Sequence, residues 1–247
     1  MANLVIDIGN TNIKLAVFNQ HQMLDMARHE DIDAAVIDSI LQKHNISKAI
    51  ISSVKKTSPA WQDELRAKTK LLNFNAEMVT GIINNHYRTP HTLGADRLAA
   101  VIGAHSLFKG KNNLVIDGGT CITYDMIDAG GNYFGGSISP GLNMRYNALN
   151  HYTAVLPLLN ADAGFNSNYG DDTPTAIKSG VQNGIKFELT GFIESYAATH
   201  KDINIVLTGG DNVFFDTLLK NSIFAPYIKK EPYLVLKGLN AAIEHND

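Results

Sequence analysis

Two apolar stretches of the chain end in an aspartate that is followed at once by a turn of glycine, asparagine or threonine. They read LVIDIGNTNIK, residues 4–14, and LVIDGGTCITY, residues 114–124, one in each half of the sequence. A strand that only fills a core has no use for an acid at its end. We therefore interpret Asp7 and Asp117 as side chains with a related chemical task.

The turns that follow these aspartates have the composition of an anion-binding loop. Successive backbone N–H groups in such turns form a concavity that holds an anion, and Thr11 and Lys14 add a hydroxyl and a positive charge to the first one. A third turn, LTGGD at residues 207–211, follows a predicted strand and leads into a predicted helix, whose N-terminus can bind a phosphate or a ribose edge. Any single turn of this kind is more often only a turn. Three of them, two in register, predict a nucleotide site.

Phosphoryl transfer is the chemistry that these turns favour. Two carboxylates at equivalent places could hold Mg²⁺ bound to a nucleotide, mostly through the waters that the ion keeps. Donors around the phosphates and a cation between their oxygens are most of what this reaction requires. The sequence contains neither GxxxxGK[ST] nor a GxGxxG after a strand, so the P-loop and the dinucleotide-binding motif are excluded.

The elements that must position the turns occur in the same order in both halves. The periodicity of apolar residues in the first half predicts strands at Leu4–Ile8, Ile13–Phe18, Met23–His29, Ala49–Val54 and Glu77–Val79, and helices at Ile32–His44 (capped by Asp31), Pro59–Lys68 (opened by Ser58) and Leu93–Phe108. In the second half it predicts strands at Leu114–Ile116, Ile122–Ile127, Tyr133–Ile138 and Ile203–Leu207, and helices at Pro140–Leu149, Thr173–His200 (capped by Asp172 or Thr173), Asn212–Lys220 and Tyr233–His245.

This repeated order predicts a duplicated α/β protein. We place the two similar halves at residues 1–112 and 113–247. Strands that alternate with helices give mixed sheets flanked by helices, and ligands of such sheets bind at the carboxyl ends of the strands. The two halves are therefore expected to face one another across a central cleft.

Composition limits the classes of protein that remain. A net charge of -3 and an isoelectric point near 6.3 argue against a protein that grips nucleic acid. The single cysteine, Cys121, cannot form an internal disulfide, and we interpret it as a small residue of a buried strand rather than a nucleophile. The beginning MANLVID lacks a basic segment and no apolar run reaches membrane length, so we expect a cytoplasmic protein that contacts neither membrane nor nucleic acid.

The segment YRTPHTLGADRLAAVIGAH, residues 87–105, contains a second unusual group of charges. Asp96 in the first turn of a predicted helix is by itself a common capping device. Arg97 beside it is less common, because cations are favoured at the other end of a helix, and it suggests an anionic partner. Together they suit a substrate with a hydroxyl and an acid group: Asp96 would take the hydroxyl proton and Arg97 would bind the acid.

The order DxGNT with Lys14, Y-x6-GADR, DGGT and TGGD resembles the type III pantothenate kinases, members of the acetate kinase, sugar kinase, Hsp70 and actin superfamily. The likeness covers essentially the whole chain, and GADR followed by DGGT is its most specific part. The resemblance implies the duplicated, actin-like, ribonuclease H-like fold. It also implies ATP-dependent phosphorylation of pantothenate to 4'-phosphopantothenate, the first step towards coenzyme A, by a homodimer.

The resemblance also assigns roles to residues. It implies Asp96 as the proton acceptor and a monovalent cation, K⁺ or NH₄⁺, at Asp117, in addition to the Mg²⁺ that accompanies ATP. The implied ATP-binding residues are Asp7, Ile8, Gly9, Asn10, Thr11, Asn12, Ile13, Lys14 and Thr120. The implied pantothenate-binding residues are Tyr87, Gly94, Ala95, Asp96, Arg97 and Thr173. Where the family usually has Asn-Thr this chain has Asp172 and Thr173, which leaves Thr175 as the second choice.

Two alternative functions stay open at this point. One is a kinase for another small hydroxy acid or a sugar. The other is a catalytically silent regulatory or transcriptional accessory protein of the same fold, which could dispense with Asp96, Asp117 and Thr120. All three residues are present, and this favours an enzyme. An Hsp70-like ATPase would need additional chain for a peptide-binding domain.

Overall fold

The computed structural model describes residues 1–53 and 60–246. The chain forms two compact units. The first consists of the described parts of Met1–Lys109, Gly131–Phe134 and Leu234–Asp247, and the second of Gly110–Gly130 and Gly135–Tyr233. The C-terminal segment thus returns to the unit in which the chain begins, whereas the predicted boundary between residues 112 and 113 followed the sequence repeat alone.

The first unit contains a five-stranded mixed sheet in the order β3-β2-β1-β4-β5. Its strands are β1 (Ala2–Ile8), β2 (Ile13–Asn19), β3 (Gln22–His29), β4 (Ile46–Ser53) and β5 (Lys70–Asn73). The first three form antiparallel hairpins, whereas β4 runs parallel to β1 and to β5. The helices of this unit are α1 (Ala34–Lys43), α2 (Trp61–Lys68), α3 (Ala95–Leu107) and the C-terminal α8 (Leu234–His245). The two-residue strand β6 (Asn84–Asn85) pairs with Asn132 and Tyr133.

The second unit repeats this strand arrangement. Its strands belong to a six-stranded sheet of order β11-β10-β7-β8-β9-β6, with β7 (Asn112–Gly118), β8 (Cys121–Ile127), β9 (Asn132–Pro140), β10 (Ile203–Gly209) and β11 (Ile228–Lys230). Its helices are α4 (Leu142–His151), α5 (Thr173–Lys178), α6 (Gly184–Thr199) and α7 (Asn212–Leu219). In both units the strand that ends in the aspartate is central, antiparallel to the next strand and parallel to the fourth. The predicted duplicated α/β fold is confirmed.

Each unit has its own apolar core. The core of the first unit lies between the sheet and helices α1 and α2, and contains Leu4, Ile6, Ile37 and Trp61. The core of the second unit joins its sheet to α4, α6 and α7 through Leu114, Tyr146, Leu189 and Phe215, among others. No helix in residues 1–53 and 60–246 is both long and apolar enough to cross a lipid bilayer.

Several local predictions differ from the structure. Residues Glu77–Val79 lie in a 3₁₀ helix, Ala76–Val79, rather than in a strand, because the Asn75 side chain accepts hydrogen bonds from the N–H groups of residues 77 and 78. Helix α1 is capped by Asp33, whose carboxylate accepts from Val36 N, and not by Asp31. The predicted opening of α2 at Ser58 and Pro59 falls outside the described residues.

The long C-terminal helix that was predicted for residues 173–200 is interrupted. Residues Ser179–Asn183 form a π-helical segment between α5 and α6. Such segments insert one extra residue into a helix and rotate the faces on either side. The strands β5, β6 and β11 were not predicted, since each has four residues or fewer and lacks a clear alternation.

Glycines bring α3 and α8 into backbone contact in the first unit. A Cβ added at Gly238 would lie 1.8 Å from the carbonyl oxygen of Ala99, and one at Gly103 would lie 2.5 Å from that of Leu234. Neither position has room for even a methyl group. The docking of the C-terminal helix therefore depends on these two glycines.

We predict that Gly238→Ala lowers the free energy of unfolding by about 1–3 kcal/mol, because the added methyl group must push the two helices apart. Chemical denaturation followed by circular dichroism measures the loss. Gly191→Ala is the matched control, since this glycine of α6 has no atom within 4 Å of the new Cβ. There the substitution should be neutral or stabilising by up to about 1 kcal/mol, because alanine is the better helix former. Equal effects of the two variants would contradict the close-contact explanation.

Candidate active site

The turn between β1 and β2 is closed by its own backbone. Gly9 N donates to Asn12 O at 3.1 Å, which leaves the side chains of Asn10 and Thr11 exposed to solvent. Ile8 and Ile13 are each only 4% exposed and their side chains belong to the core of the first unit. Of the predicted ATP-binding residues, these two can therefore contribute only backbone groups.

Asp7 is a carboxylate at the edge of an apolar core. The residue is 7% exposed, and Lys14, its partner across the hairpin, lies 3.9 Å away. Burial raises the pKa of Asp7 from its ordinary 3.8 to about 6; the charge of Lys14 opposes the rise and the charge of Asp96 adds to it. The effect of Asp96 links the β1 turn electrostatically to the start of α3, and both belong to the first unit.

The start of α3 holds Asp96 at the surface. Gly94 precedes the helix, and the Asp96 Oδ1 atom accepts a hydrogen bond from Arg97 N at 2.8 Å. A Cβ at Gly94 would lie 2.6 Å from that oxygen, so the glycine makes room for the carboxylate. The other oxygen, Oδ2, has no hydrogen-bond partner among the described residues and stays available to a ligand. Ala95 supplies the backbone between them.

Arg97 is buried, although an arginine in the first turn of a helix would ordinarily lie in solvent. It is 6% exposed, and its guanidinium carbon lies 5.9 Å from the centre of the Tyr87 ring. Tyr87 in turn stacks on Tyr133, with the ring centres 6.4 Å apart and the planes 8° apart. A guanidinium over an aromatic face is attracted by the ring electrons and loses mobility. The structure thus brings the Tyr87 ring and the Arg97 guanidinium of the GADR segment together in the first unit.

The second unit brings two of the glycine turns together. Asp211 N donates to Gly118 O at 2.9 Å, so the TGGD turn is bonded directly to the DGGT turn. Gly209 has a φ of +81°, and a Cβ there would lie 2.2 Å from Asp117 Oδ1. This close approach requires a glycine, and it places the Asp117 carboxylate against the backbone of β10. Thr120 follows, exposed to solvent.

Gly141 belongs to this group of turns and was not predicted. Its N–H donates to Thr120 O at 3.1 Å, and a Cβ there would lie 2.2 Å from Gly119 O. The residue therefore presses its backbone onto the DGGT turn. The pair Pro140-Gly141 at the start of a predicted helix was the available signal, but a sequence does not show which turn such a pair contacts.

Helix α5 distinguishes the two candidate threonines. Asp172 caps the helix, and Thr175 completes a capping box: the Asp172 carboxylate accepts from Thr175 N at 2.8 Å, while the Thr175 hydroxyl oxygen accepts from Asp172 N at 3.2 Å. Thr173 is exposed in the first turn, and its hydroxyl has no partner among the described residues. The Thr175 hydroxyl is engaged in holding the helix end, whereas that of Thr173 is available.

The predicted site residues therefore form two groups, one in each unit. The first unit assembles the β1 turn, Tyr87 and the GADR segment, and the charge of Asp96 contributes to the raised pKa of Asp7. The second unit assembles Asp117 and Thr120 with the TGGD turn, and carries Thr173 at the start of α5.

We predict that Asp7→Asn stabilises the protein above pH 6, because it removes a charge that burial disfavours. The folded protein binds the Asp7 proton more tightly than the unfolded chain does, so wild-type stability falls as the pH rises from about 4 to about 6. Above that range the variant should gain roughly 2–3 kcal/mol, at about 1.4 kcal/mol per pKa unit, and the gain should vanish near pH 4. Denaturation curves between pH 4 and pH 8 measure it.

Asp25→Asn provides a control of opposite sign. Hydrogen bonds from Lys43 and His44 lower the pKa of Asp25, so its charged form favours folding. Removing that charge should reduce stability at neutral pH and have no effect in acid. A gain for Asp7→Asn that does not depend on pH would contradict the burial argument.

Comparison with solved structures supports the fold. A Baf family transcriptional activator from Campylobacter jejuni matches with a TM-score of 0.60 at 20% identity, over 98% of both chains. The activator of the 2-hydroxyisocaproyl-CoA dehydratase from Clostridium difficile, solved with bound ADPNP, matches with a TM-score of 0.59 at 11% identity, over 100% of this chain and 96% of that one. At these identities the likeness concerns the fold alone.

Comparison of sequences identifies the family. The type III pantothenate kinase of Bacteroides fragilis is 42% identical over 246 residues, which cover 99% of this chain and 98% of that protein. The type III pantothenate kinase of Christiangramia forsetii is likewise 42% identical over 99% of this chain and 98% of its own length. The family model described as type III pantothenate kinase matches residues 3–195. This chain therefore belongs to the type III pantothenate kinase family.

Proposed function

We propose that this protein transfers the γ-phosphoryl group of ATP to the primary hydroxyl of pantothenate, giving 4'-phosphopantothenate and ADP, the first step of coenzyme A synthesis. The protein is thus a kinase with an alcohol as acceptor. Relatives that carry the name type III pantothenate kinase and match almost the full chain support the assignment.

The observation that carries the mechanism is the electrostatic coupling of Asp96 to Asp7. The charge of Asp96 adds to the rise in the pKa of Asp7, so the start of α3 and the β1 turn act on a common region of the first unit. A hydroxyl bound at Asp96 would then lie near a phosphate bound at the β1 turn. A kinase requires this proximity, because most of its rate enhancement comes from positioning and charge.

Asp96 is assigned as the proton acceptor. Its Oδ1 atom is oriented by the N–H of Arg97, which leaves Oδ2 for the hydroxyl of the substrate. As the hydroxyl oxygen bonds to the γ-phosphorus, its proton passes to Asp96, and the bond from phosphorus to the β,γ-bridging oxygen breaks to release ADP. A base at this point avoids the build-up of positive charge on the attacking oxygen.

The other residues of the GADR segment are assigned to the acid group of pantothenate. Arg97 is a buried cation held over Tyr87, and little side-chain entropy is lost when it binds a carboxylate. Gly94 and Ala95 supply a backbone that approaches the ligand closely. Thr173, with an available hydroxyl, completes the set of pantothenate-binding residues. The acid group is what would distinguish pantothenate from an uncharged alcohol.

The ATP phosphates are assigned to the β1 turn. The short side chains of Asn10, Thr11 and Asn12 and the N–H groups of the turn other than that of Gly9, which donates to Asn12 O, surround the anion, and Lys14 supplies a positive charge next to Asp7. Thr120 adds a hydroxyl from the DGGT turn. Because the side chains of Ile8 and Ile13 are buried, their part is limited to the backbone. These donors stabilise the charge that develops on the γ-phosphoryl oxygens.

Cations complete the proposal. Mg²⁺ with ATP fits Asp7, a carboxylate whose charged form is disfavoured by burial and would be favoured by a nearby divalent ion. A monovalent ion, K⁺ or NH₄⁺, fits Asp117, because its Oδ1 atom and the carbonyl oxygen of Gly118 both lie beside Gly209, and hard cations prefer such oxygens. When bound, these ions neutralise phosphate charge.

We further propose a homodimer and a cytoplasmic location, where Cys121 stays reduced.

The proposed function is tested by incubating the purified protein with ATP, Mg²⁺, K⁺ and pantothenate and measuring the product by mass spectrometry. The expected product is pantothenate plus one phosphate group. A panel of other hydroxy acids and sugars in the same assay tests acceptor specificity. Phosphorylation of another acceptor instead of pantothenate, or no phosphorylation at all, would overturn the assignment.

We predict that Asp96→Asn lowers kcat by about 10²–10⁴-fold, because the amide cannot accept the hydroxyl proton. ATP binding should be retained, since the substitution leaves the β1 turn unchanged; titration calorimetry with a non-hydrolysable ATP analogue measures it. Asp33→Asn is the matched control. It also replaces an aspartate at a helix start, but asparagine caps a helix as well, so rate and stability should stay near wild type. Full activity of Asp96→Asn would rule out its role as base.

We predict that Thr173→Val impairs pantothenate binding, whereas Thr175→Val impairs stability. Thr173→Val should raise the KM for pantothenate with little change in stability, because it removes an available hydroxyl. Thr175→Val should cost ~1 kcal/mol of stability through loss of the capping box. Steady-state kinetics and thermal unfolding of both variants separate the two roles. A larger KM effect at Thr175 would reverse the assignment.

A further inference from the structure

Arg145 on α4 makes three hydrogen bonds with one guanidinium. Its Nε donates to Pro140 O at 2.9 Å, and its Nη2 donates to Ser139 Oγ at 2.9 Å and to Glu188 Oε2 at 2.5 Å. The arginine and Glu188 side chains are only 20% and 21% exposed. An ion pair so shielded from water is stronger and more rigid than one on an open surface.

Glu188 on α6 anchors this pair to the sheet. Its second oxygen, Oε1, accepts a hydrogen bond from the Tyr124 hydroxyl of β8 at 2.8 Å. Burial, and then the bond to Glu188, raise the pKa of Tyr124, so the phenol stays protonated and remains a donor. Both carboxylate oxygens are therefore used, and α6, β8 and the arginine form one connected network.

The network ends at the DGGT turn. Residues 139–141, called here the 139–141 corner, join β9 to α4, and Arg145 holds the first two of them. The third, Gly141, bonds to Thr120 O and has no room for a Cβ beside Gly119 O. Since backbone lies directly on backbone, a displacement of the corner must displace the turn.

We propose that Arg145 and Glu188 are positioning residues for the nucleotide: they fix the 139–141 corner, which in turn fixes the DGGT turn. The inference rests on the proposed function, in which that turn contributes Thr120 to the ATP phosphates. Neither side chain touches the turn itself. Their effect is on how accurately its hydroxyl and carbonyl groups are placed.

The planar fork of arginine is what this task requires. It reaches a carbonyl, a hydroxyl and a carboxylate at once and in fixed directions, whereas the lysine ammonium is a point charge on a flexible stem. Arg145→Lys keeps the ion pair with Glu188 but cannot hold both Pro140 and Ser139. The Arg145→Lys variant therefore separates the effect of hydrogen-bond geometry from the effect of charge.

The experiment compares the full-length wild type with Arg145→Met, Arg145→Lys and Glu188→Gln in steady-state kinetics, varying ATP and pantothenate separately. We expect the KM for ATP to rise roughly tenfold in both arginine variants, and the KM for pantothenate to change by less than about twofold, since displacement of a binding group by a fraction of an ångström has effects of this size. The double variant Arg145→Met/Glu188→Gln should be no worse for ATP than Arg145→Met, because both act through one network.

Two controls separate positioning from stability. Lys230→Met removes a cation of the same unit whose partner, Asp216, lies on α7, and it should leave both KM values unchanged. Ile193→Val weakens the core beneath α6 without touching the corner, and it should lower the melting temperature only. Loss of stability in Arg145→Met with an unchanged KM for ATP would overturn the proposal. So would a wild-type KM for ATP in Arg145→Lys, because charge alone would then suffice.

A direct measurement of nucleotide binding tests the positioning role without depending on which acceptor the enzyme phosphorylates. Titration of the same variants with a non-hydrolysable ATP analogue should give dissociation constants that rise with the KM for ATP. If the wild type binds the analogue but does not phosphorylate pantothenate, the proposed function fails, while a weaker analogue affinity in the arginine variants would still support the positioning role. If Arg145→Met does not fold, Arg145→Lys and Glu188→Gln carry the test.

Discussion

The parallel pairing of the first and fourth strands is the constraint on which both units depend. In each sheet it aligns the carboxyl end of a central strand with that of its neighbour, so Asp7 lies opposite Ser52, and Asp117 opposite Thr208. Because loops leave these ends in the same direction, groups distant in sequence meet there. In the second unit the meeting is so close that the DGGT and TGGD turns share a backbone hydrogen bond. Glycine is required at Gly209 because the neighbouring backbone and Asp117 fill the space of a side chain.

The same pairing creates an electrostatic cost in the first unit. A carboxylate at the end of a buried strand loses much of its hydration, and Lys14 at 3.9 Å compensates only partly, since the pKa of Asp7 still rises to about 6. Ion pairs in such places seldom repay the full cost of desolvation. In the proposed function, a cation that enters with phosphate would relieve this cost of burying the Asp7 charge.

Much of the fold was predictable because its signals are local. Apolar strands ending in acids, paired hairpins and capped helices gave the duplicated order, and the spacing of GADR and DGGT indicated the family. One error was itself local, and the others came from tertiary contacts. Glu77–Val79 is apolar enough for a strand, but capping by Asn75 turns it into a 3₁₀ helix. The return of α8 to the first unit depends on contacts at Gly103 and Gly238, which no periodicity reveals. Gly141 and the Arg145–Glu188 pair were missed for the same reason, since their roles depend on contacts with residues distant in the sequence or on other elements.

The free-energy cost of burying carboxylates in both units also bears on whether the protein is an enzyme or a catalytically silent protein of the same fold. Burial raises the pKa of Asp7, and also that of Asp211 in the TGGD turn, so both carboxylates make folding less favourable at neutral pH. A protein that only displayed this fold to a partner would gain stability by replacing either of them with a neutral residue. Groups that reduce stability without an evident structural return are concentrated at sites where ligands are bound or transformed. The presence of two such acids, each directly at a turn suited to phosphate, is therefore more consistent with phosphoryl transfer than with a structural or regulatory role.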